Sequence, residues 1–471
     1  MTADVPDFRS VTVEALAASV RQGERTALDV TDAALTRIER DDPSLNAFVA
    51  VEADRAREEA AAIDARIAAG EDAGPLAGIP IGVKDLEDAV GFRTTRGAAH
   101  LADVPPATTD STEVSRLRGA GCVVIGKTNT PEAGWIGDTY NPVFGATKNP
   151  WNLARSPGGS SGGTSAAVAG GLVPLATGSD GGGSIRIPSA VVGMSGFKPT
   201  QGMIPAGPAP LGAADLSTIG PMARRISDVA LALDVVVGPA PNDLRSLPHP
   251  GSSFRAVCDD PRPPSRLLYC ASVDGSEVDA DVAEVTASAL DRLRAEGVEI
   301  VETGPIMPEV FKPFLLLFYG NMVPGYRALM GTDAFDRVTP GLQELLVRAD
   351  ELLTPDSIEE ARKTAQACSI KLAAAMEGFD ALITPATVGQ TPVSEGPGTV
   401  NGEETPAWVG NTFGFNVTKR PGGVTCAGFA PDGMPLALQI IGHHLDDVRT
   451  VELTAWAEGV LGLDPVAPFP S

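Results

Sequence analysis

The sequence predicts an α/β protein built in layers. Three observations predict it. Short apolar runs of strand length alternate with longer segments of helical period along most of the chain. The opening 70 residues read as helices alone. The 52 glycines and 40 prolines are spread among apolar segments, which speaks for many turns in a folded chain and not for disorder.

The elements follow in order. Val30, Ala34, Leu35 and Ile38 share one helical face, and Asp41-Asp42-Pro43 is expected to end that helix. Residues 53–69 form a second, charged helix stopped by Gly70. Residues 79–85 read as a short strand ending in charge, and 111–119 as a helix leading to a strand at 122–125. Residues 166–173 suit a helix, and 175–177 a short strand. The Pro-, Asp- and Ser-rich segment 239–264 reads as a linker or surface excursion. A strand–helix–strand unit follows at 267–269, 280–296 and 298–301, with Gly297 stopping the helix. Residues 306–350 are mainly helical. Their bulky groups (Phe311, Phe314, Leu315, Phe318 and Tyr319) read as core and not as substrate wall. Residues 381–383 and 436–441 look like further buried strands.

Composition narrows the function. Acidic residues outnumber basic ones 60 to 36, a net charge of −24, which repels a nucleic-acid backbone. The five cysteines are odd in number and contain no C-x-x-C, so neither a zinc knuckle nor a disulfide framework is expected. Reduced thiols in the cytoplasm are the expectation. Residues 1–16 lack the basic start and apolar run of a signal peptide, and no 18-residue apolar stretch would span a membrane. The expected partner is a small molecule, with neither nucleic acid nor membrane.

Residues 156–200 carry most of the functional signal. Two glycine-rich clusters there each present serine: Gly158-Gly159-Ser160-Ser161-Gly162-Gly163 and Asp180-Gly181-Gly182-Gly183-Ser184. Such turns bring hydroxyls and backbone N–H donors close together, as acyl chemistry requires. A phosphate-binding Walker loop needs Lys after its last glycine, and Thr164 stands there. Gly158-x-Ser160-x-Gly162 does match the nucleophile-elbow pattern. However, the residues before it make a poor strand, and the downstream histidines His249, His443 and His444 have no distinctive setting. The β-lactamase S-x-x-K pattern is absent around both serines. A serine without histidine still needs a base, and a lysine kept neutral by burial can serve, whereas arginine stays protonated. Lys84 ends an apolar strand. Taken alone it reads as a strand-end surface charge.

Together, several motifs resemble the amidase signature family. They are Pro80-Ile81-Gly82-Val83-Lys84-Asp85, the two glycine-serine clusters with Ile185-Arg186-Ile187-Pro188, Gly126-Lys127-Thr128-Asn129-Thr130-Pro131-Glu132, and Gly196-Phe197-Lys198-Pro199-Thr200. Phe415-Asn416-Val417-Thr418 and Asp432-Gly433-Met434-Pro435 resemble its C-terminal elements. The resemblance covers roughly 10–235 and 365–460, and the 240–360 region carries no recognisable motif. It implies a layered α/β/α fold around a large mixed central sheet. One domain spans 1–471: N-terminal helices to 70, a signature core at 71–235, a variable helical or pocket-forming region at 240–360, and the rest of the core at 365–471.

The resemblance also implies a mechanism. The family's triad is a lysine, a serine in a cis peptide and a nucleophilic serine, which here match Lys84, Ser160 and Ser184. Neutral Lys84 takes a proton from Ser160, which takes one from Ser184, and Ser184 attacks the carbonyl. The backbone N–H groups of Gly181, Gly182, Gly183 and Ser184 hold the oxyanion, one such donor being worth about 3 kcal/mol. Ser160 returns the proton to the leaving amine, and water clears the acyl-enzyme. No metal or organic cofactor is implied. Ser161 either supports the turn or adds a catalytic hydrogen bond. Asp180 is assigned an orienting role, Arg186 that of its ion-pair partner, and Lys127 and Lys198 structural roles. Gly134 and Trp135 fall where the family lines its acyl pocket.

The wording at 148–152 and 179–184 is closer to stand-alone amidases, including those resembling nylon-oligomer cyclic-dimer hydrolases. Small amides are the expected substrates, with carbamates (urethanes) and aryl esters open to the same triad, and a monomer or homodimer is expected. Two alternatives stay open. One is the A subunit of a glutamine-dependent tRNA amidotransferase, although 359–371 lacks the tyrosine-rich stretch associated with it. The other is a non-catalytic binding homologue. After Thr418 the run Lys419-Arg420-Pro421-Gly422-Gly423 departs from the more apolar family pattern, which affects the expected pocket edge at 418–424.

Overall fold

The structure, a computed structural model, describes residues 5–208 and 216–469. Residues 1–4, where the reading of the N-terminus began, lie outside it. The chain opens with α1 (Val13–Arg21) and α2 (Ala27–Leu45), the latter started by a capping box of Thr26 and Asp29. Helix α2 does not stop at Asp41-Asp42-Pro43. It carries Pro43 in its last turn and ends at Asn46, whose left-handed φ of 54° turns the chain away. The carboxylate of Asp42 then accepts the N–H groups of Ala47 and Phe48. Strand β1 (Phe48–Val51) and α3 (Ala53–Ala68) follow, and Gly70 stops α3 at φ 75° as expected.

The signature region holds β2 (Pro80–Lys84), α4 (Thr112–Gly119), β3 (Val123–Thr128), α5 (Gly162–Ala169), β4 (Leu175–Asp180), α6 (Arg186–Val191), β5 (Gly196–Lys198), β6 (Thr218–Ala223) and α7 (Ile226–Val236). Two strands outrun their expected ends. β3 continues to Thr128 and β4 to Asp180, because their terminal polar groups find partners inside the protein: Lys127 lies 3.5 Å from Asp85, and Asp180 2.9 Å from Arg186. α5 starts four residues before the expected 166, at Gly162. The 239–264 excursion is anchored, with Phe254 wholly buried and its N–H donated to Asp234.

Next come β7 (Arg266–Cys270), α8 (Ala280–Ala295), β8 (Glu299–Thr303), α9 (Phe311–Tyr326), α10 (Pro340–Leu352), α11 (Pro355–Ala375) and β9 (Ala381–Pro385). The chain closes with the small hairpin β10 (Gly398–Val400) and β11 (Glu403–Thr405), then α12 (Gly414–Val417), β12 (Gly422–Phe429), β13 (Pro435–Ile441) and α13 (Asp447–Leu461).

Eleven strands form one mixed sheet in the order β1-β3-β2-β4-β6-β5-β12-β13-β9-β7-β8. β2 runs parallel to β3 and β4, β7 parallel to β8 and β9, and antiparallel pairings join these sets. β2, β3, β4, β6, β9 and β13 are buried along their full lengths. That is possible only where helices cover both faces, so the layered α/β architecture is as expected. Among the described residues no helix is long and apolar enough to cross a membrane. Parallel β2, β3 and β4 end at the same edge, at Lys84, Thr128 and Asp180, which is where open α/β sheets place their ligand sites.

Candidate active site

Lys84 is wholly buried at the end of β2. Its Nζ donates to Ser160 Oγ and Ser161 Oγ, both at 2.8 Å, and to Ser179 Oγ at 3.0 Å. An ammonium has three N–H donors, and three hydroxyls meet them. Burial drives the Lys84 pKa down from 10.5 to about 7, against the opposing pull of Glu87 and Asp180. Near neutral pH a large share of Lys84 is therefore the free amine, which can accept a proton from one of these serines. The strand-end surface reading of Lys84 is excluded by its burial.

The Gly159–Ser160 peptide is cis. A Cβ on Gly159 would overlap the backbone of Asp138, so only glycine fits there. Ser161 supports the turn and also bonds Lys84. It accepts from Lys84, and it ties the turn to β4 through Ser179 N–H and Ser179 O, each at 3.3 Å. Ser179 itself was not singled out from sequence. It lies on β4 immediately before Asp180, and its hydroxyl completes the ammonium shell.

Ser184 follows the second glycine cluster and lines a cavity of about 150 Å³ together with Ser160, Ser179, Gly181 and Gly134. Its hydroxyl has no hydrogen-bond partner among the described residues, so it stands open to the cavity. Asp180 organises the loop that carries it. Burial alone would raise the Asp180 pKa, but the Arg186 guanidinium and Asn416 hold it well below the usual carboxylate range. Asp180 Oδ1 accepts the N–H of Gly183 at 2.7 Å, and Oδ2 those of Ile185 and Arg186 at 3.3 and 3.4 Å. This corrects the expected oxyanion site. The Gly183 N–H already points at a carboxylate, whereas those of Gly181, Gly182 and Ser184 donate to no described acceptor. Arg186 is wholly buried and binds Asp180, Asn416 Oδ1, Gln439 Oε1 and Thr412 O, the ion-pair role expected of it.

The glycines beside Ser184 are set by close approach. A side chain on Gly181 would strike Phe318, one on Gly182 would strike Phe314, and Gly183 has φ 128°. The aromatic run of α9 is thus partly a site wall and not core alone. Phe318 lines the cavity, and Phe314 stacks between Phe318 and Phe413 with ring centroids 5.2 and 4.9 Å apart. Phe311 is 52 % exposed and belongs to neither.

Gly134 lines the cavity at φ 74°, where a Cβ would come to 3.1 Å from Ser160 Oγ. Trp135 does not join it. Its ring packs on Gly341 and its carbonyl accepts from Tyr319 Oη at 3.1 Å, and it is not among the described residues lining the cavity. Sequence reasoning missed Leu86, Arg96, Met322 and Tyr326 on the cavity wall.

Among the described residues lining the cavity there is no histidine. His249 is exposed and bonds the N–H of Gly251, while His443 Nε2 bonds Phe379 O at 2.8 Å. At the departure after Thr418, Lys419 takes φ 57° and Arg420 is 4 % exposed, and β12 begins at Gly422. Neither residue lines the cavity.

The chain is similar to several known proteins. The family model described as Amidase matches residues 29–451. An acylamidase of Rhodococcus erythropolis is 34% identical over 455 residues, covering 94% of each chain. The A subunit of the Glutamyl-tRNA(Gln) amidotransferase of Roseiflexus castenholzii is 34% identical over 453 residues, covering 90% of this chain and 91% of that one. Among solved structures, a bacterial aryl acylamidase of the amidase signature family superposes with TM-score 0.89 at 27% identity, covering 96% of both chains. A 6-aminohexanoate cyclic dimer hydrolase with bound substrate gives 0.87 at 28% identity, covering 98% of both.

Proposed function

This chain belongs to the amidase signature family, and on that premise we propose that it hydrolyses small amides through an acyl-enzyme on Ser184. The fold and relatives make it an amide-cleaving hydrolase. The observation that carries the finer reading is the buried Lys84 amine held by Ser160, Ser161 and Ser179, of which Ser160 and Ser179 line the same cavity as Ser184.

In this reading neutral Lys84 accepts the Ser160 proton while Ser160 accepts that of Ser184. Ser184 Oγ adds to the amide carbonyl. The N–H groups of Gly181, Gly182 and Ser184 receive the developing oxyanion, each such donor being worth about 3 kcal/mol. The intermediate collapses as Ser160 delivers its proton to the departing amine and recovers one from Lys84. Water then adds to the acyl carbonyl by the same relay and releases the acid. The Phe318 and Met322 wall suits aryl or alkyl groups. A carbamate or aryl ester presents the same carbonyl and fits the same steps. The relay runs on this chain's own side chains, with no cofactor and no second protein.

The test is intact-mass analysis after a serine-directed inhibitor, with a hydrolysis panel of aryl amides, short aliphatic amides, carbamates and glutamine. An adduct mapped to Ser184, and its loss together with turnover in Ser184→Ala, is the expected result. An adduct on Ser160 would restore the nucleophile-elbow reading. Turnover of glutamine alone, and only with added partner proteins, would make the chain the glutaminase component of a tRNA amidotransferase. No adduct and no turnover would leave a binding homologue.

A further inference from the structure

We propose that Arg96 recognises a carboxylate on the substrate, so that amides bearing an acidic group are preferred over their neutral isosteres. The proposal rests on the amidase reading of the same cavity. Among the described residues lining the cavity of Ser160 and Ser184, Arg96 is the one that carries a charge. Its guanidinium makes no hydrogen bond or ion pair with any described residue. Glu132, which precedes Ala133, forms no ion pair with it. That carboxylate is taken up by Tyr326 Oη at 3.2 Å and by the Thr339 N–H and hydroxyl, both at 2.8 Å.

The backbone gives a second, independent indication. Arg96 has φ 55° and Ala133, also on the cavity wall, has φ 53°, both in the left-handed region that disfavours residues with a Cβ. The two are joined, Ala133 N–H donating to Arg96 O at 2.8 Å, while Arg96 N–H donates to Asp85 O at 3.1 Å. Arg96 is thus fastened on one side to the residue after Lys84 and on the other to the residue before Gly134. Unfavourable conformations of this kind persist where the surroundings hold a side chain in place for a task.

The chemistry selects the ligand. A guanidinium offers a planar fork of N–H donors that matches a carboxylate two-to-two. Phe318 and Met322 supply apolar wall in the same cavity, so the pair forms in surroundings drier than bulk water. In a chain of net charge −24 this is a local positive spot, with no acid among the described residues lining its cavity.

Two matched substrate pairs locate the carboxylate. On the acyl side, the mono-para-nitroanilide of succinate is compared with butyryl-para-nitroanilide. On the amine side, para-acetamidobenzoate is compared with para-acetamidoacetophenone. In one pair, kcat/KM for the acidic member is expected to exceed that of the neutral member by about tenfold or more. Arg96→Gln should shrink that ratio about 10- to 100-fold, Arg96→Lys should keep part of it, and added salt should narrow it. A ratio unchanged by Arg96→Gln in both pairs overturns the proposal, and neutral anilide turnover would then leave the amidase reading standing. Absence of turnover and of any Ser184 adduct in the wild type would overturn both.

Discussion

Arg186 Nε lies 2.9 Å from Asp180 Oδ2, and neither side chain is exposed to solvent. The pair joins two distant stretches of chain. Asp180 ends β4 and holds the N–H groups of the nucleophile loop, while Arg186 and Asp180 together bind Asn416 and Gln439 from the C-terminal part of the sheet. Removing one partner strands a buried charge. Arg186→Met and Asp180→Asn should each cost about 3–5 kcal/mol of stability. The double variant should lose less than the sum, because no lone charge remains, although the loop N–H groups still lose their carboxylate. Urea unfolding of the four proteins checks this, and additive losses would contradict it.

In the proposed relay, the hydrogen bond from Lys84 to Ser160 sets the pH dependence of turnover. The base form is the neutral amine, so kcat/KM for a neutral amide should rise with pH through an ionisation near 7 and then level off. Lys84→Arg should be inactive at every pH, since a guanidinium stays protonated. The same group has a stability signature. Its folded pKa of about 7 lies below lysine's ordinary 10.5, so between these values the unfolded chain binds a proton that the folded chain does not. Lys84 therefore makes stability rise with pH across that window. Lys84→Met should flatten the rise relative to wild type in a series of urea midpoints, and an identical slope in both would count against a buried, depressed lysine.

Much of this site was legible because its chemistry demands rare residue patterns. An apolar strand ending in lysine, and each glycine-serine cluster, have other readings when taken alone. The resemblance carried by all the motifs together implies one site, and Lys84, Ser160 and Ser161 lie together while Asp180 holds the Ser184 loop. What escaped was set by distant packing. Helix α9 is apolar on nearly every side, so nothing in its spacing tells Phe318 on the cavity from Leu317 in the core. The left-handed backbone of Arg96 and Ala133 has no sequence signal, because neither is a glycine or an asparagine. Strand β12 was missed because it begins Gly422-Gly423, and glycine is poor strand material. Those glycines admit Ile441 and Thr454, with which any side chain there would collide. The donor count at Gly183 likewise depended on Asp180 curling back onto its own loop, a contact that no motif specifies.

A last prediction concerns two carboxyl groups that the proton relay does not use. Glu87 and Glu113 are both buried, Glu87 within reach of the Lys84 charge, and neither oxygen of Glu113 has a hydrogen-bond partner among the described residues. Burial raises the pKa of both, and for Glu113 the adjacent Glu87 charge raises it further. The pair should therefore keep one shared proton near neutral pH, held on Glu113, while Ser111 Oγ donates to Glu87 Oε2 at 3.3 Å. The sign of the pH effect follows. Above glutamate's ordinary 4.5 the unfolded chain has released this proton and the folded chain has not, so stability falls as pH rises toward the raised value. Glu113→Gln keeps the shape and the donor and cannot ionise. It should retain wild-type stability at the acidic end of the range and lose less stability than wild type from about pH 5 to 8. Infrared spectra give an independent readout: the wild type should show a protonated carboxyl band near neutral pH that is missing in Glu113→Gln. Matching pH profiles and no such band would mean that both glutamates are ionised, and the shared proton would have to be abandoned.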